Sequence, residues 1–144
     1  MMFAIDDHEQ KVTATPETQA ECPICRELVI SKCGQIKIWH WAHKSVKECD
    51  DWYEPEGEWH KSWKELVKPE FCEVKKENHR ADIIGRNGRV IELQNSTISS
   101  TEIEKREQFY KYMVWVINGE EFENNLIIKK KESYYSFRWK HPRE

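Results

Sequence analysis

RADIIGRNGRVIELQNS, residues 80–96, holds two strands and the turn between them, and the register of that turn decides the fold. Val90, Ile91 and Leu93 suit a central strand covered on both faces, while Glu92 and Gln94, two residues apart, share one face. An ionised carboxylate buried there without a partner is strongly destabilising. A two-residue turn at Asn87-Gly88 pairs Arg86 with Arg89, sets Ile83 opposite Glu92 and sends Asp82 to the other face. A three-residue loop, Arg86-Asn87-Gly88, pairs Gly85 with Arg89 and places Asp82 opposite Glu92. The Asn-Gly pair suits a type I turn with Gly88 left-handed in a G1 bulge. One residue of slip inverts every side chain. The expectation is positive φ at Gly88, with Asp82 and Glu92 on one face and their carboxylates within roughly 6 Å, the reach of a shared ion.

The neighbouring segments extend this hairpin into an α+β pattern. PEGEWHKSWKELVK, residues 55–68, has Trp59, Trp63, Leu66 and Val67 at helical spacing and Pro69 just beyond, with His60 and Lys64 at the edge of that apolar face. FCEVKK reads as a strand before RADIIG. Ser99-Ser-Thr-Glu102 is a capping box opening a helix of about twelve residues, whose inner face would be Ile103, Arg106, Tyr110 and Met113. MVWVI, residues 113–117, reads as a buried strand. The order is helix, three-stranded meander, helix, strand. Residues 127–144 hold six Lys or Arg against two Glu, and Tyr135, Phe137 and Trp139 alternate with Ser136, Arg138 and Lys140. That alternation suits a strand with one packed and one basic face. The basic face, with Arg138 and Lys140, either follows a phosphate backbone or protects a sheet edge from aggregation.

The 144 residues are 38% hydrophobic and 34% charged, with seven Trp supplying bulk that the aliphatic residues do not. A net charge of −3 gives no overall bias toward polyanions, so a nucleic-acid partner would need local basic patches. Apolar runs are too short for a membrane span, and MMFAIDDHEQ lacks the pattern of a secretory signal. The expectation is a soluble cytoplasmic protein. Five Cys, an odd number, argue against a disulfide framework and for metal ligands. Cys22-Pro-Ile-Cys25 and His40-Trp-Ala-His43 have metal spacing, and LVISKCGQIKIW between them alternates around Cys33-Gly34 like a small hairpin. Two thiolates and two imidazoles suit a closed, structural zinc site on Cys22, Cys25, His40 and His43. Cys33 and Cys49 are spare and could replace one His. Lys32, Lys37, Lys44 and Lys47 surround this finger.

Polar residues inside the later strands and helices are the candidates for chemistry. Asp82, Glu92 and His60 offer two hard carboxylates and one imidazole, a set that suits Mg²⁺ or Mn²⁺. The competing reading is a buried network in which Asp82 or Glu92 pairs with Arg106 and nothing is catalysed.

In this order the residues resemble the PD-(D/E)xK nuclease superfamily and, more narrowly, the competence protein CoiA family. That family joins a CPxC … HFAH finger to a nuclease-like domain carrying H-xxx-K, RAD, IExQxS and R-xxx-Y motifs. The corresponding residues are Cys22-Pro-Ile-Cys25, His40-Trp-Ala-His43, His60-xxx-Lys64, Arg80-Ala-Asp82, Ile91-Glu-Leu-Gln94-Asn-Ser96 and Arg106-xxx-Tyr110, with Val114-Trp-Val116 in the following strand. Trp41 stands where Phe is usual, and Gln94 where the superfamily carries Lys. The resemblance implies a restriction-endonuclease-like core over residues 54–144, preceded by a small zinc-binding β-hairpin module over 1–50. It implies a Mg²⁺- or Mn²⁺-dependent deoxyribonuclease acting in DNA processing or recombination, on single-stranded, end or branched DNA. Asp82, Glu92 and His60 would hold the catalytic ion, Gln94 would position water or phosphate, and Lys64 or Arg106 would stabilise developing charge, with Glu58 and Glu73 as reserve carboxylates. Lys64, Arg106, Tyr110, Arg138 and Lys140 would contact nucleic acid. The alternative is a nucleic-acid- or protein-binding module on a degenerate nuclease scaffold. The oligomeric state is open, a dimer being one arrangement.

Overall fold

The computed structural model describes residues 1–45 and 48–139, which form an α+β arrangement of three sheets. Strands β1 (Phe3–Ile5), β2 (Lys11–Thr13), β3 (Gln19–Glu21), β4 (Leu28–Lys32) and β5 (His40–His43) make a five-stranded antiparallel sheet in the order β2-β1-β3-β4-β5. The expected N-terminal hairpin is therefore only the β4–β5 edge of a larger sheet. Its tip is also wider than a turn at Cys33-Gly34, because Lys32 pairs with His40 across a loop of residues 33–39. The physical reason lies in Trp41. An isolated hairpin cannot bury an indole, whereas here Ala4, Ala14, Ala20 and Val29 enclose it and its Nε1 donates to the Val12 carbonyl at 3.0 Å.

Helix α1 (Glu58–Lys64) leads through a 3₁₀ turn at Pro69–Phe71 into the antiparallel meander β6 (Cys72–Lys76), β7 (His79–Ile84) and β8 (Val90–Gln94). Helix α2 (Ser100–Tyr110) then crosses over to β9 (Met113–Ile117), which pairs parallel with β8 and closes the order β6-β7-β8-β9. Ser99 is the N-cap of α2, its side chain accepting from the Glu102 amide at 3.1 Å, as the capping box requires. Glu102, Ile103, Arg106, Phe109 and Tyr110 are its half-buried positions, so the expected inner face is present apart from Met113, which lies in β9.

Three further expectations are corrected. In α1, His60 and Lys64 face inward at 3% and 2% exposure, while Leu66 lies past the helix at 73%. Carboxylates waiting beneath the helix draw its polar pair inward against the hydrophobic pattern. Strand β9 is a half-exposed sheet edge, not a buried strand, with Val114 and Ile117 open to solvent. Finally, β10 (Leu126–Lys130) and β11 (Tyr135–Trp139) form a separate two-stranded sheet on which Tyr135 and Phe137 are exposed, so the expected packed face is uncovered among the described residues.

The N-terminal sheet and the meander are joined through Glu73. Its carboxylate accepts from the Met2 and Phe3 amides at 2.8 and 2.9 Å, holding β1 against β6. Glu73 has φ +48, a conformation that non-glycine residues adopt only when several contacts enforce it. Lys11 adds a hydrogen bond from Nζ to the Cys72 carbonyl, and Lys75 Nζ donates to the Ile24 carbonyl at 2.6 Å. Among the described residues no helix is long and apolar enough to cross a membrane.

Candidate active site and metal cluster

The site begins with the hairpin loop. Gly85 N donates to the Arg89 carbonyl and Gly88 N to the Gly85 carbonyl, both at 2.8 Å, and Gly88 has φ +79. This is the three-residue loop with a left-handed Gly88. The pairs Ile84↔Val90 and Ile83↔Ile91 put Asp82 opposite Glu92. At that point the backbone ladder gives way to side chains. Asp82 N donates to Glu92 Oε1 at 3.2 Å, and Leu93 N donates to Asp82 Oδ2 at 2.9 Å. Pairing on the other side, Cys72↔Ile83 and Val74↔Ala81, sets Glu73 opposite Asp82. Three carboxylates thus form one row across β6, β7 and β8.

Cations offset this row. Lys64 Nζ lies 2.8 Å from Glu56 Oε1, 3.0 Å from Glu73 Oε1 and 3.1 Å from Asp82 Oδ1. Burial alone would lower its pKa, but Glu73, Asp82 and Glu56 raise it well above the ordinary lysine value. Arg106 Nη1 is 3.3 Å from Glu92 Oε2, Nε is 3.3 Å from Glu102 Oε1, and Nη2 donates to the Trp52 carbonyl at 3.1 Å. Its guanidinium lies over the rings of Trp52 and Trp115. Burial and then the charge of Asp82 nevertheless push the Glu92 carboxyl up to about 8.

His60 is oriented from outside this row. Its Nε2 is 3.0 Å from Glu54 Oε2, and the same carboxylate accepts from Asn95 N at 3.0 Å and Ser96 N at 2.6 Å. Burial would raise Glu54, but hydrogen bonds from His60, Ser96 and Asn95 bring its pKa down to about 2. Gln94 directs its amide to the Ser96 carbonyl at 3.1 Å and to Glu54 Oε1 at 3.4 Å. Two buried polar atoms near the acids, His60 Nδ1 and Tyr110 Oη, have no partner among the described residues. Glu54, Glu56, His60, Asp82, Glu92 and Arg106 line one recess. Of the reserve carboxylates Glu73 belongs to the site, while Glu58 is exposed. Arg138 is exposed on β11 and is not among the residues lining this recess, and Lys140 lies outside the described residues.

A second cluster gathers Cys22, Cys25, His43 and Cys49, whose ligand atoms lie within 4.8 Å of one another. Cys22 Sγ and Cys49 Sγ are 3.7 Å apart, and Cys25 Sγ is 3.3 Å from His43 Nε2. A zinc tetrahedron with ~2.3 Å sulfur arms has S···S edges near ~3.8 Å, so these residues can hold a metal such as zinc. Ile24 N donates to Cys22 Sγ, and Glu48 Oε2 stands 3.6 Å from His43 Nδ1. Burial first, then Cys22, pushes the Cys49 thiol up to about 12 in the protein without a cation. The expected ligand His40 is not in the cluster. In strand β5 residues three apart point to opposite faces, so His43 turns to the cysteines while His40 Nδ1 bonds the Ile38 carbonyl at 2.8 Å. Cys49 completes the set.

A family model described as competence protein CoiA, nuclease-like domain, matches residues 57–142, and one described as competence protein CoiA, N-terminal domain, matches residues 6–51. The chain belongs to the CoiA family. No match was found among curated proteins or solved structures.

Residues 52–56 lie between the two CoiA matches, within the stretch DDWYEPE, residues 50–56, in which no sequence motif marks Asp50, Trp52 or Glu54. Asp50 is buried, with Oδ1 2.8 Å from His79 Nδ1 and Oδ2 accepting from Arg80 N at 2.8 Å. Trp52 stacks on His79 with ring centroids 3.4 Å apart, and Glu54 and Glu56 reach His60 and Lys64. The signal was four acids and two aromatics in eight residues, 50–57, too dense to be an ordinary solvated linker.

Proposed function

We propose that this CoiA-family chain is a metal-dependent DNA nuclease, hydrolysing phosphodiester bonds in DNA processing or recombination, with residues 54–144 as a restriction-endonuclease-like body and 1–50 as a structural zinc module. The observation that carries the reading is the facing pair Asp82 and Glu92, placed where side chains interrupt the β7–β8 ladder. A buried carboxyl such as Glu92, pushed up to about 8 first by burial and then by the charge of Asp82, suits a site that accepts a divalent cation. Hard carboxylate oxygens with one unpartnered imidazole nitrogen fit Mg²⁺ or Mn²⁺.

Asp82 and Glu92 would hold the ion, with His60 as third ligand or water-orienting group. Such an ion acidifies a bound water and polarises the phosphate. Arg106, held by Glu92, Glu102 and the Trp52 carbonyl, supplies a fixed positive charge at the lining of the recess, where a phosphate would meet it. Lys64 supplies positive charge from beneath, since three carboxylates already hold it. Gln94 shapes the β8 exit where the superfamily places its Lys. That neutral residue is what favours the second reading, a module that binds DNA without cutting it.

Purified protein incubated with single-stranded, duplex and branched DNA, in Mg²⁺ or Mn²⁺ against EDTA, tests both. Metal-dependent cleavage abolished by Asp82→Ala or Glu92→Ala is the expected result. Binding without cleavage in any metal selects the second reading.

A further inference from the structure

His60 is one of two inward residues of α1, buried at 3% exposure, yet only one of its ring nitrogens has a partner among the described residues. Nε2 faces Glu54 Oε2 at 3.0 Å. Glu54 receives two backbone amides besides, from Asn95 and Ser96, and the Gln94 amide at longer range. A carboxylate taking that many donors is an acceptor only, so the proton in the His60 contact sits on Nε2. In the neutral ring the other nitrogen, Nδ1, then carries a lone pair. It is buried, has no hydrogen-bond partner among the described residues, and belongs to a ring lining the recess shared with Asp82 and Glu92.

A buried acceptor left empty costs free energy unless something occupies it. Edge-to-face packing of Trp59 on the His60 ring, centroids 5.3 Å apart, helps hold the ring plane without using either nitrogen. Histidines that bind metals through one nitrogen commonly donate the other N–H to a carboxylate, which fixes tautomer and ring orientation. Glu54 lies outside every motif in the sequence, four residues before α1, in the stretch between the two family matches.

We propose that Glu54 is a positioning residue: it holds His60 with the proton on Nε2, and so presents the buried Nδ1 lone pair to the divalent ion or its bound water. The inference rests on the nuclease-site reading, because it assigns Nδ1 to the same recess. It adds the atom through which His60 acts and the residue that selects it. The two amides on Glu54 make the arrangement stiff, since they anchor the carboxylate to the exit of β8.

Two measurements test it on the full-length protein. Ring-nitrogen NMR of metal-free wild-type protein, at a pH where His60 is neutral, should show Nε2 protonated and Nδ1 bare. A proton on Nδ1 overturns the proposal whatever any variant does. Mn²⁺ titration should then show Glu54→Ala weakening the ion by about tenfold to a hundredfold, the usual range for a lost carboxylate behind a metal-binding His. The same change made in a His60→Ala background should cost nothing further, because Glu54 acts through His60. An equal loss in both backgrounds means Glu54 only braces β8, and overturns the proposal. Asp82→Ala separates the layers. If it leaves Mn²⁺ affinity unchanged, the metal-site reading itself falls; if it abolishes binding while Glu54→Ala does not weaken it, only the role of Glu54 falls.

Discussion

Glu92 carries the clearest consequence at the scale of single residues. Its carboxyl is pushed up to about 8 from an ordinary value of 4.5, by burial and by Asp82. In the metal-free protein the folded state therefore keeps a proton that the unfolded chain releases above pH 4.5. The sign follows directly: this contribution to stability is full below pH 4.5, falls as pH rises, and is gone above about pH 8. Urea titrations of metal-free protein across that window should show the decline, and Glu92→Gln should flatten it. A variant as pH-dependent as wild type would place the titration elsewhere. Gln94 gives a second test at this scale. If the chain is the proposed nuclease, Gln94→Lys adds a cation at the exit of β8 and should raise the Mg²⁺-dependent cleavage rate by about tenfold, roughly 1.4 kcal/mol of barrier. A rate unchanged or lowered would show that Lys64 and Arg106 already supply the needed charge.

At the scale of elements, short-range rules succeeded where the backbone itself sets the outcome. The Asn87-Gly88 loop has the register its turn chemistry demands, and Ser99 caps α2 as its spacing requires. Ser99→Ala should cost about 1 kcal/mol in chemical denaturation, because one amide at the N-terminus of α2 loses its acceptor. The misreadings share a cause. Helical spacing located α1 but chose Trp63 and Leu66 as its inner face, because a pattern of apolar residues cannot register carboxylates contributed by β6, β7 and residues 54–56. HxxH spacing predicts a paired ligand motif, but on a strand its two imidazoles diverge. Zinc content should therefore stay near one equivalent in His40→Ala and drop well below it in Cys49→Ser. The opposite pattern in elemental analysis would restore His40 to the site.

Across the whole molecule the two metal candidates are connected by a short stretch of chain. Cys49 belongs to the cysteine cluster, Asp50 is pinned to His79 and Arg80, and Glu54 and Glu56 enter the acidic recess. Stripping the metal from the cysteine cluster should unfold the sheet around residues 20–50, since folding and binding are coupled in such sites. It should also loosen residues 50–56. Hydrogen exchange on metal-stripped protein should show faster exchange at the Arg80, Asn95 and Ser96 amides, whose acceptors Asp50 and Glu54 lie on that stretch. Protection unchanged at those amides would mean the stretch holds itself in place.

What the sequence determined by itself was local and periodic: the strands of the meander, the loop at Gly88, the cap at Ser99, and the facing of Asp82 and Glu92 that follows from loop length. It also supplied the CxxC half of a metal cluster and the family to which the chain belongs. The tertiary structure decided which partners those residues meet. It chose Cys49 over His40, turned Lys64 and His60 inward, joined β1 to β6 through Glu73, and brought Glu54 onto His60. These are contacts between groups whose separation along the chain bears no relation to their separation in space. Periodicity reports which side chains share a face; which face turns inward, and the charge it meets there, depends on every other element packed against it.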